Sequence, residues 1–306
     1  MSAVEAAPEL ARYLDEPKQL PAGAPGKNGF LRLGFQRQED RTTLVDLERR
    51  TPLLVQQALH FDDAMPELAC VYVISTSGGV LQGDRLAIEI DVGPDAQAYV
   101  STQSATKIHE MDANYAVQTQ QIVLAEGAYL EYLPEPTIPY RHSRLLTRTR
   151  IAIAPTATLL HAEVLLAGRK YYGDGERFAY DVFSSLVRAE TTDGRELFTE
   201  KILVEPGRSS VRDTGVMGAF DVFANVLLLT PKKHAERIFE TIEATFDLDP
   251  ERGYAAAASR LPNDAGLVYK VVGVESETVR DKVRAFWSRV RPEVTGREVP
   301  PPFLWR

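Results

Sequence analysis

Apolar and polar residues alternate through the first two thirds of the chain. In "RLAIEIDV", Leu86, Ile88, Ile90 and Val92 alternate with Arg85, Ala87, Glu89 and Asp91, the period of two that marks a strand with one buried face. Strand-like runs recur from "FLRLGFQ" at Phe30 to about Glu205, separated by breakers such as "GPDAQ", "AEG", "APTA" and "TDGRE". Three joining segments resemble one another: "VGPDAQAYVSTQ", "LAEGAYLEYL" and "IAPTATLLHAEVLL". Each links strand to strand through a short turn containing alanine, at intervals of about thirty residues. Stacked repeats and a run of ordinary hairpins both satisfy that pattern. The expectation for residues 28–212 is an elongated, multi-stranded body, layered or β-helix-like.

Past residue 212 the pattern changes. "VFANVLLLT" ends at Thr230-Pro231, a helix N-cap followed by proline, and Ala235, Ile238, Phe239, Ile242 and Phe246 then fall on one helical face. "GLVYKVVGV" reads as a strand. Ser276 is placed to cap a second helix with Val279, Val283, Phe286, Trp287 and Val290 as its apolar stripe and Pro292 as its stop. The fold class is therefore mostly β (α+β), with a small C-terminal α/β portion over residues 213–306. Its two main helices are expected near 231–246 and 276–291. Residues 1–27, which include the breaker string "PAGAPGKNG", are expected to be loosely ordered.

Composition removes several function classes. Hydrophobic and charged contents of 44% and 25% are ordinary globular values. A net charge of −8, with no interleaving of aromatic and basic residues, argues against nucleic acid as a partner. The single cysteine, Cys70, lies in the apolar run "ACVYVIS" and allows no internal disulfide. The N-terminus lacks a basic and then apolar signal pattern, and the apolar stretches are too short to span a bilayer. The expectation is a cytoplasmic protein without a membrane partner.

Candidate chemistry begins at "SGGVLQGDR", where Gly78, Gly79 and Gly83 follow a strand. A phosphate loop would open a helix and carry Lys-Ser/Thr; here a strand follows, and Asp84 comes after the last glycine. The reading is a tight turn, with Asp84 capping it or entering an acidic path. There is no nucleophile motif, and the five histidines lack metal-ligand spacing, so no stable closed metal site is expected. The carboxylates say more. Glu131 shares a strand face with Tyr129 and Leu133, Glu163 with Leu159, His161 and Leu165, and Glu200 with Phe198, Ile202 and Val204. Either Lys107, Arg169 or Lys201 pairs with them or those faces are solvated, or they form a buried acidic path suited to acid–base work or to a divalent cation.

Taken together, these motifs resemble the urease accessory protein UreD family, also called UreH. The matching stretches are "RTPLLVQQALH", "GGVLQGD", "TQSATKI", "LEYLPEPTIPY", "HAEVLLAGR" and "LFTEKILVEP", in the family's order. The resemblance implies a mostly β, non-enzymatic scaffold that joins apo-urease to UreF and to the GTPase UreG. It also implies nickel in transit through an internal acidic tunnel, with no tightly bound cofactor. The family's acidic positions map onto Asp84, Glu131, Glu163 and Glu200, and its basic ones onto Lys107 and Arg169. His161, beside Glu163 at strand period two, joins the nickel-path candidates. Ser77 replaces a proline common in the family, and Glu163 an aspartate. Trp287, Phe303 and Trp305 are candidates for partner contact. Two rival readings stay open: a β-rich hydrolase or lyase using paired glutamates, and a purely structural binding module.

Overall fold

The structure is a computed structural model that describes residues 7–15 and 26–301. Its first strands are β1 (Asn28–Gln38), β2 (Arg41–Arg50), β3 (Leu53–Leu54), β4 (Ala69–Ser75), β5 (Arg85–Val92), β6 (Gln97–Thr102), β7 (Thr106–Ile108), β8 (Ala116–Leu124) and β9 (Tyr129–Tyr132). Then come β10 (Thr137–Pro139), β11 (Arg144–Ile153), β12 (Thr158–Leu166), β13 (Val182–Thr191), β14 (Glu196–Val204) and β15 (Val222–Leu229). Helix α1 (Lys232–Glu240), β16 (Thr245–Asp247), β17 (Tyr254–Arg260), β18 (Gly266–Gly273) and helix α2 (Ser276–Thr295) complete the order. A seven-stranded sheet runs β14-β13-β11-β8-β5-β1-β2. An eleven-stranded sheet runs β16-β17-β18-β15-β12-β9-β6-β4-β3, with β7 and β10 off that path.

From β4 to β13 the chain shuttles between the two sheets. Parallel pairing joins β4, β6, β9 and β12 in the large sheet, and β5, β8, β11 and β13 in the small one. The result is a flattened coil whose successive turns stack. The three similar segments are its corners, from β5 to β6, β8 to β9 and β11 to β12. The stacked-repeat reading is the one realised. Ala96, Ala128 and Ala157 lie above one another there and are at most 1% exposed. The Tyr129 N–H donates to the Ala96 carbonyl at 2.9 Å and the Thr158 N–H to that of Ala128 at 2.8 Å, so each corner is bonded to the next. Coils spaced about 4.8 Å apart leave room for a methyl group and little more.

The large sheet is the middle of three layers. Leu159, Leu165, Leu227 and Leu229 pack towards the small sheet with Leu31, Leu33 and Ile90. Leu160, Ala162, Val164 and Val226 pack the other way, against Phe286, Trp287 and Val290 of α2. Burial on both faces explains why "TLLHAEVLL" and "VFANVLLL" are almost continuously apolar.

Several boundaries differ from expectation. Helix α1 ends at Glu240; Phe246 lies in β16, 74% exposed, because residues 245–247 pair with β17 as an edge hairpin. The Thr230 hydroxyl does not cap α1 but meets the Thr158 hydroxyl at 2.8 Å inside the protein. Ser276 is the first residue of α2, not its cap, and the helix runs through Pro292 to Thr295, ending at Gly296. Burial of Val290 and Arg291 in that stretch offsets the one hydrogen bond that Pro292 forgoes. Within the stretch expected to be loose, Pro8–Tyr13 forms a 3-10 helix on the outer face of the small sheet. Leu10 packs there against Val117, Leu146 and Val182, and Glu9 accepts from Ser184 at 2.6 Å and pairs with Lys201 at 2.9 Å.

Candidate functional site

The glycine turn is built by backbone geometry. Gly78 and Gly83 have φ of 73° and 74°, the left-handed region that favours glycine. At Gly79 a Cβ would stand 2.6 Å from the Lys107 carbonyl oxygen, which is too close. Asp84 is fully buried, and its carboxylate accepts the Lys27 and Leu81 N–H groups, each at 2.9 Å. It clamps the turn, and it is not among the residues that line the cavity described next.

That cavity, of about 170 Å³, lies between the two sheets. Gln118, Gln120 and Thr147 line it from the small sheet, and Tyr132, His161 and Glu163 from the large one. Gly78, Gly79, Lys107 and Glu135 line it too, and the exposure of Gly78 and Lys107 marks its mouth. Among the described residues, Gln120 Oε1, His161 Nδ1 and Asn225 Oδ1 are buried without a hydrogen-bond partner. Asn225 lies opposite Glu163 in strand register, one strand further from the mouth. Buried polar atoms left this way call for water or a ligand.

Two titrating groups face this space. Burial pushes the Glu163 carboxyl up to about 7; a Ser185 hydrogen bond opposes the shift and the Glu200 charge adds to it. Glu163 is only half-buried by accessible area although protein surrounds it at depth, since the area it exposes faces the cavity. Burial depresses His161 to about 4, so its imidazole is neutral at pH 7. An oxygen-rich wall with one neutral imidazole can hold a borderline divalent cation loosely, through water.

The sequence-predicted residues do not all meet here. Tyr132 is in register with His161, and Glu131 with Leu160, so Glu131 points to the opposite face of the large sheet. There it accepts from Tyr129 Oη at 2.6 Å, Trp287 Nε1 at 2.5 Å, Arg291 Nε at 2.8 Å and Arg291 Nη2 at 2.7 Å. Arg291 also reaches Asp62 at 2.5 Å. All three charged side chains are about as buried as side chains become, at 1% exposure or less. This cluster fastens α2 to the sheet. Trp287, expected at a partner surface, is instead buried, stacked on Tyr99 with ring centroids 5.9 Å apart. Phe303 and Trp305 lie outside the described residues. Arg169 grips Glu176 in two bonds of 2.5 and 2.7 Å, between the rings of Tyr140 and Tyr172, and holds its own loop. Glu200 accepts from Asn225 Nδ2 at 2.7 Å and Lys270 Nζ at 2.6 Å, and it is not among the residues that line the cavity.

Sequence reasoning missed Gln118, Gln120, Asn225, Lys270, Asp62 and Arg291. A signal existed for some: Gln118 and Gln120 alternate along "AVQTQQIVL", and Asn225 interrupts an apolar strand. None existed for Arg291, whose partner is 160 residues away.

The fold and cavity define a layered β scaffold with a polar interior. The chain belongs to the UreD urease accessory protein family, which it matches over residues 27–306. It is 60% identical over 297 residues to urease accessory protein UreD 2 of Brucella ovis, covering 97% of this chain and 98% of the relative. Identity to the protein of the same description in Brucella abortus is also 60%, over 299 residues, with 97% and 98% coverage. The urease accessory protein UreD of Yersinia pseudotuberculosis is 52% identical over 300 residues, covering 98% and 93%. Proteins of this family are non-catalytic scaffolds of urease maturation, so the hydrolase or lyase reading is dropped. Among the described residues no group of three or more His, Cys, Asp or Glu is placed to hold a metal ion, and no helix is long and apolar enough to cross a membrane.

Proposed function

We propose that the chain bridges apo-urease to UreF and the GTPase UreG in the cytoplasm, and that nickel passes through the space between its two sheets. The observation that carries the reading is the group of unpartnered buried polar atoms around Glu163. Gln120 Oε1, His161 Nδ1 and Asn225 Oδ1 lack partners beside a carboxyl that burial disfavours as an anion. A hydrated cation supplies what this space lacks: positive charge for Glu163 and water protons for the open acceptors. Carboxylate, amide and a single imidazole hold nickel weakly enough to release it, where thiolates or several imidazoles would trap it. Asp84 and Glu131 keep their turn-clamping and helix-fastening roles and stay outside the passage.

The test is maturation of urease with Glu163→Leu and Glu200→Leu, which remove charge while roughly keeping volume. Both variants should still form the complex with UreF and UreG, and matured urease should contain less nickel. Normal nickel loading with both variants rejects the passage.

A further inference from the structure

The loop between β12 and β13 holds two aromatic rings out in solvent. Its Glu176 N–H donates to the Arg169 carbonyl at 3.1 Å, so residues 170–175 stand beyond that closure as a tip. Tyr171 and Tyr172 lie in the tip, 79% and 57% exposed. Three carboxylates fix it from below. Glu176 accepts from Arg169 and, at 2.8 Å, from Arg141 Nε. Asp221 accepts from Arg177 Nε at 3.1 Å and Arg212 Nη2 at 2.6 Å, with Lys170 Nζ 3.2 Å away. Glu275 accepts from Lys170 Nζ and from Tyr171 Oη, each at 2.6 Å. Phe178 closes the loop at φ 54°, a left-handed conformation that bulky side chains rarely adopt. Its N–H bond to the Ala167 carbonyl, at 2.6 Å, and its ring beneath the Arg212 guanidinium hold it there.

The acids of this clasp are turned inward and the cations outward. The Glu176 and Asp221 side chains are 2% and 8% exposed, whereas Arg141, Arg177 and Arg212 are between 42% and 52% exposed. Asp174 is the one exposed acid between residues 167 and 181. We propose that Tyr171 and Tyr172 anchor the chain on a partner protein whose surface has an apolar socket rimmed by carboxylates. This rests on the bridging reading given above. A tyrosine ring buries much apolar area for the loss of two rotatable bonds, and a ring already held loses less still. The Tyr171 hydroxyl is fixed by Glu275, and the Arg169 guanidinium backs the Tyr172 ring at 3.7 Å. The arginine rim supplies attraction at longer range. On a chain of net charge −8, a local positive rim is what orients an acidic partner.

Pairwise affinities of the full-length chain for purified apo-urease, UreF and UreG test this, with the parent, Tyr171→Ala/Tyr172→Ala, Tyr171→Phe and Arg177→Gln. The double variant should bind one of the three about tenfold more weakly or worse, and the others within about twofold of the parent. Tyr171→Phe keeps the ring and should stay near the parent. The affected complex should weaken as NaCl rises from about 50 to about 500 mM, less steeply with Arg177→Gln. Unchanged affinity for all three partners overturns the anchor. So does an equal loss for all three, which marks the clasp as structural. Tyr171→Ala alone repeats the measurement if the double variant melts early. An affinity indifferent to salt overturns the acidic socket. Loss of binding to phosphatidylserine vesicles, with all three protein affinities kept, assigns the rings to a membrane and also overturns it. A parent that binds none of the three rejects the bridging reading itself.

Discussion

Replacing Glu163 with glutamine keeps the shape of the side chain and removes its titration. In the folded protein burial raises this carboxyl from 4.5 to about 7. Between those values the folded chain holds a proton that the unfolded chain releases. Stability therefore falls as pH rises through this window, by up to about 1.4 kcal/mol per pH unit and about 3 kcal/mol in all. Glu163 is only half-buried and faces the cavity, so screening lowers the figure, and about 1–3 kcal/mol is expected. His161 has the opposite slope. Its pKa is depressed from 6.5 to about 4, so there the unfolded chain holds the proton and stability rises with pH. The two trends oppose each other in the parent, and only the difference between variant and parent isolates Glu163. Urea unfolding of both proteins at pH 4.5 and pH 8 supplies that difference. The variant should match the parent at the lower pH and exceed it at the higher one. An offset that does not change with pH refutes the reasoning, because Glu163 would then be an ordinary solvated carboxylate.

Arg291→Met leaves Glu131 and Asp62 buried without their cation, and should cost about 3–5 kcal/mol, read as a lower melting temperature. Adding Glu131→Gln and Asp62→Asn should recover part of that loss. Gly79→Val drives a side chain against the Lys107 carbonyl oxygen and should cost about 1–3 kcal/mol; a melt that matches the parent's counts against the steric account.

The strands were legible because period two is imposed by the pleat, and the corners because alanine alone recurs where coils stack. Ala96, Ala128 and Ala157 carry that signal in the sequence itself. Helix α1 was overextended because Ile242 and Phe246 continue a helical stripe, yet pairing of residues 245–247 with β17 outweighs it. The acids were harder to read. Glu131 and Glu163 both interrupt apolar strand faces, and the faces of this sheet are both buried, one under a helix and one under another sheet. Which acid points where depends on strand register, and register is a property of pairing between segments far apart in the chain. Trp287 looked like an exposed anchor for the same reason: its partner, Glu131, is 156 residues away.

The two faces of the large sheet separate two uses of a buried acid. Glu131 is saturated by donors, so a cation arriving there would have to displace Arg291 from two buried carboxylates. That displacement is prohibitive, and the cluster serves only to hold α2. Among the described residues, Glu163 has no cation on it and stands beside unpartnered polar atoms of Gln120, His161 and Asn225, which is what the proposed passage of a cation draws on. Coil stacking then gives the polar positions a direction. Parallel strands in register place Gln118 beside Thr147 and Thr147 beside Ser185, and the next row sets Gln120 beside Thr149; Val187 then interrupts the polar run before the antiparallel β14 brings Glu200 alongside it. Polar side chains that are scattered along the chain thereby form rows across the small sheet. A run of independent hairpins would not align them so. The repeat that builds the body is also what sets these polar positions side by side.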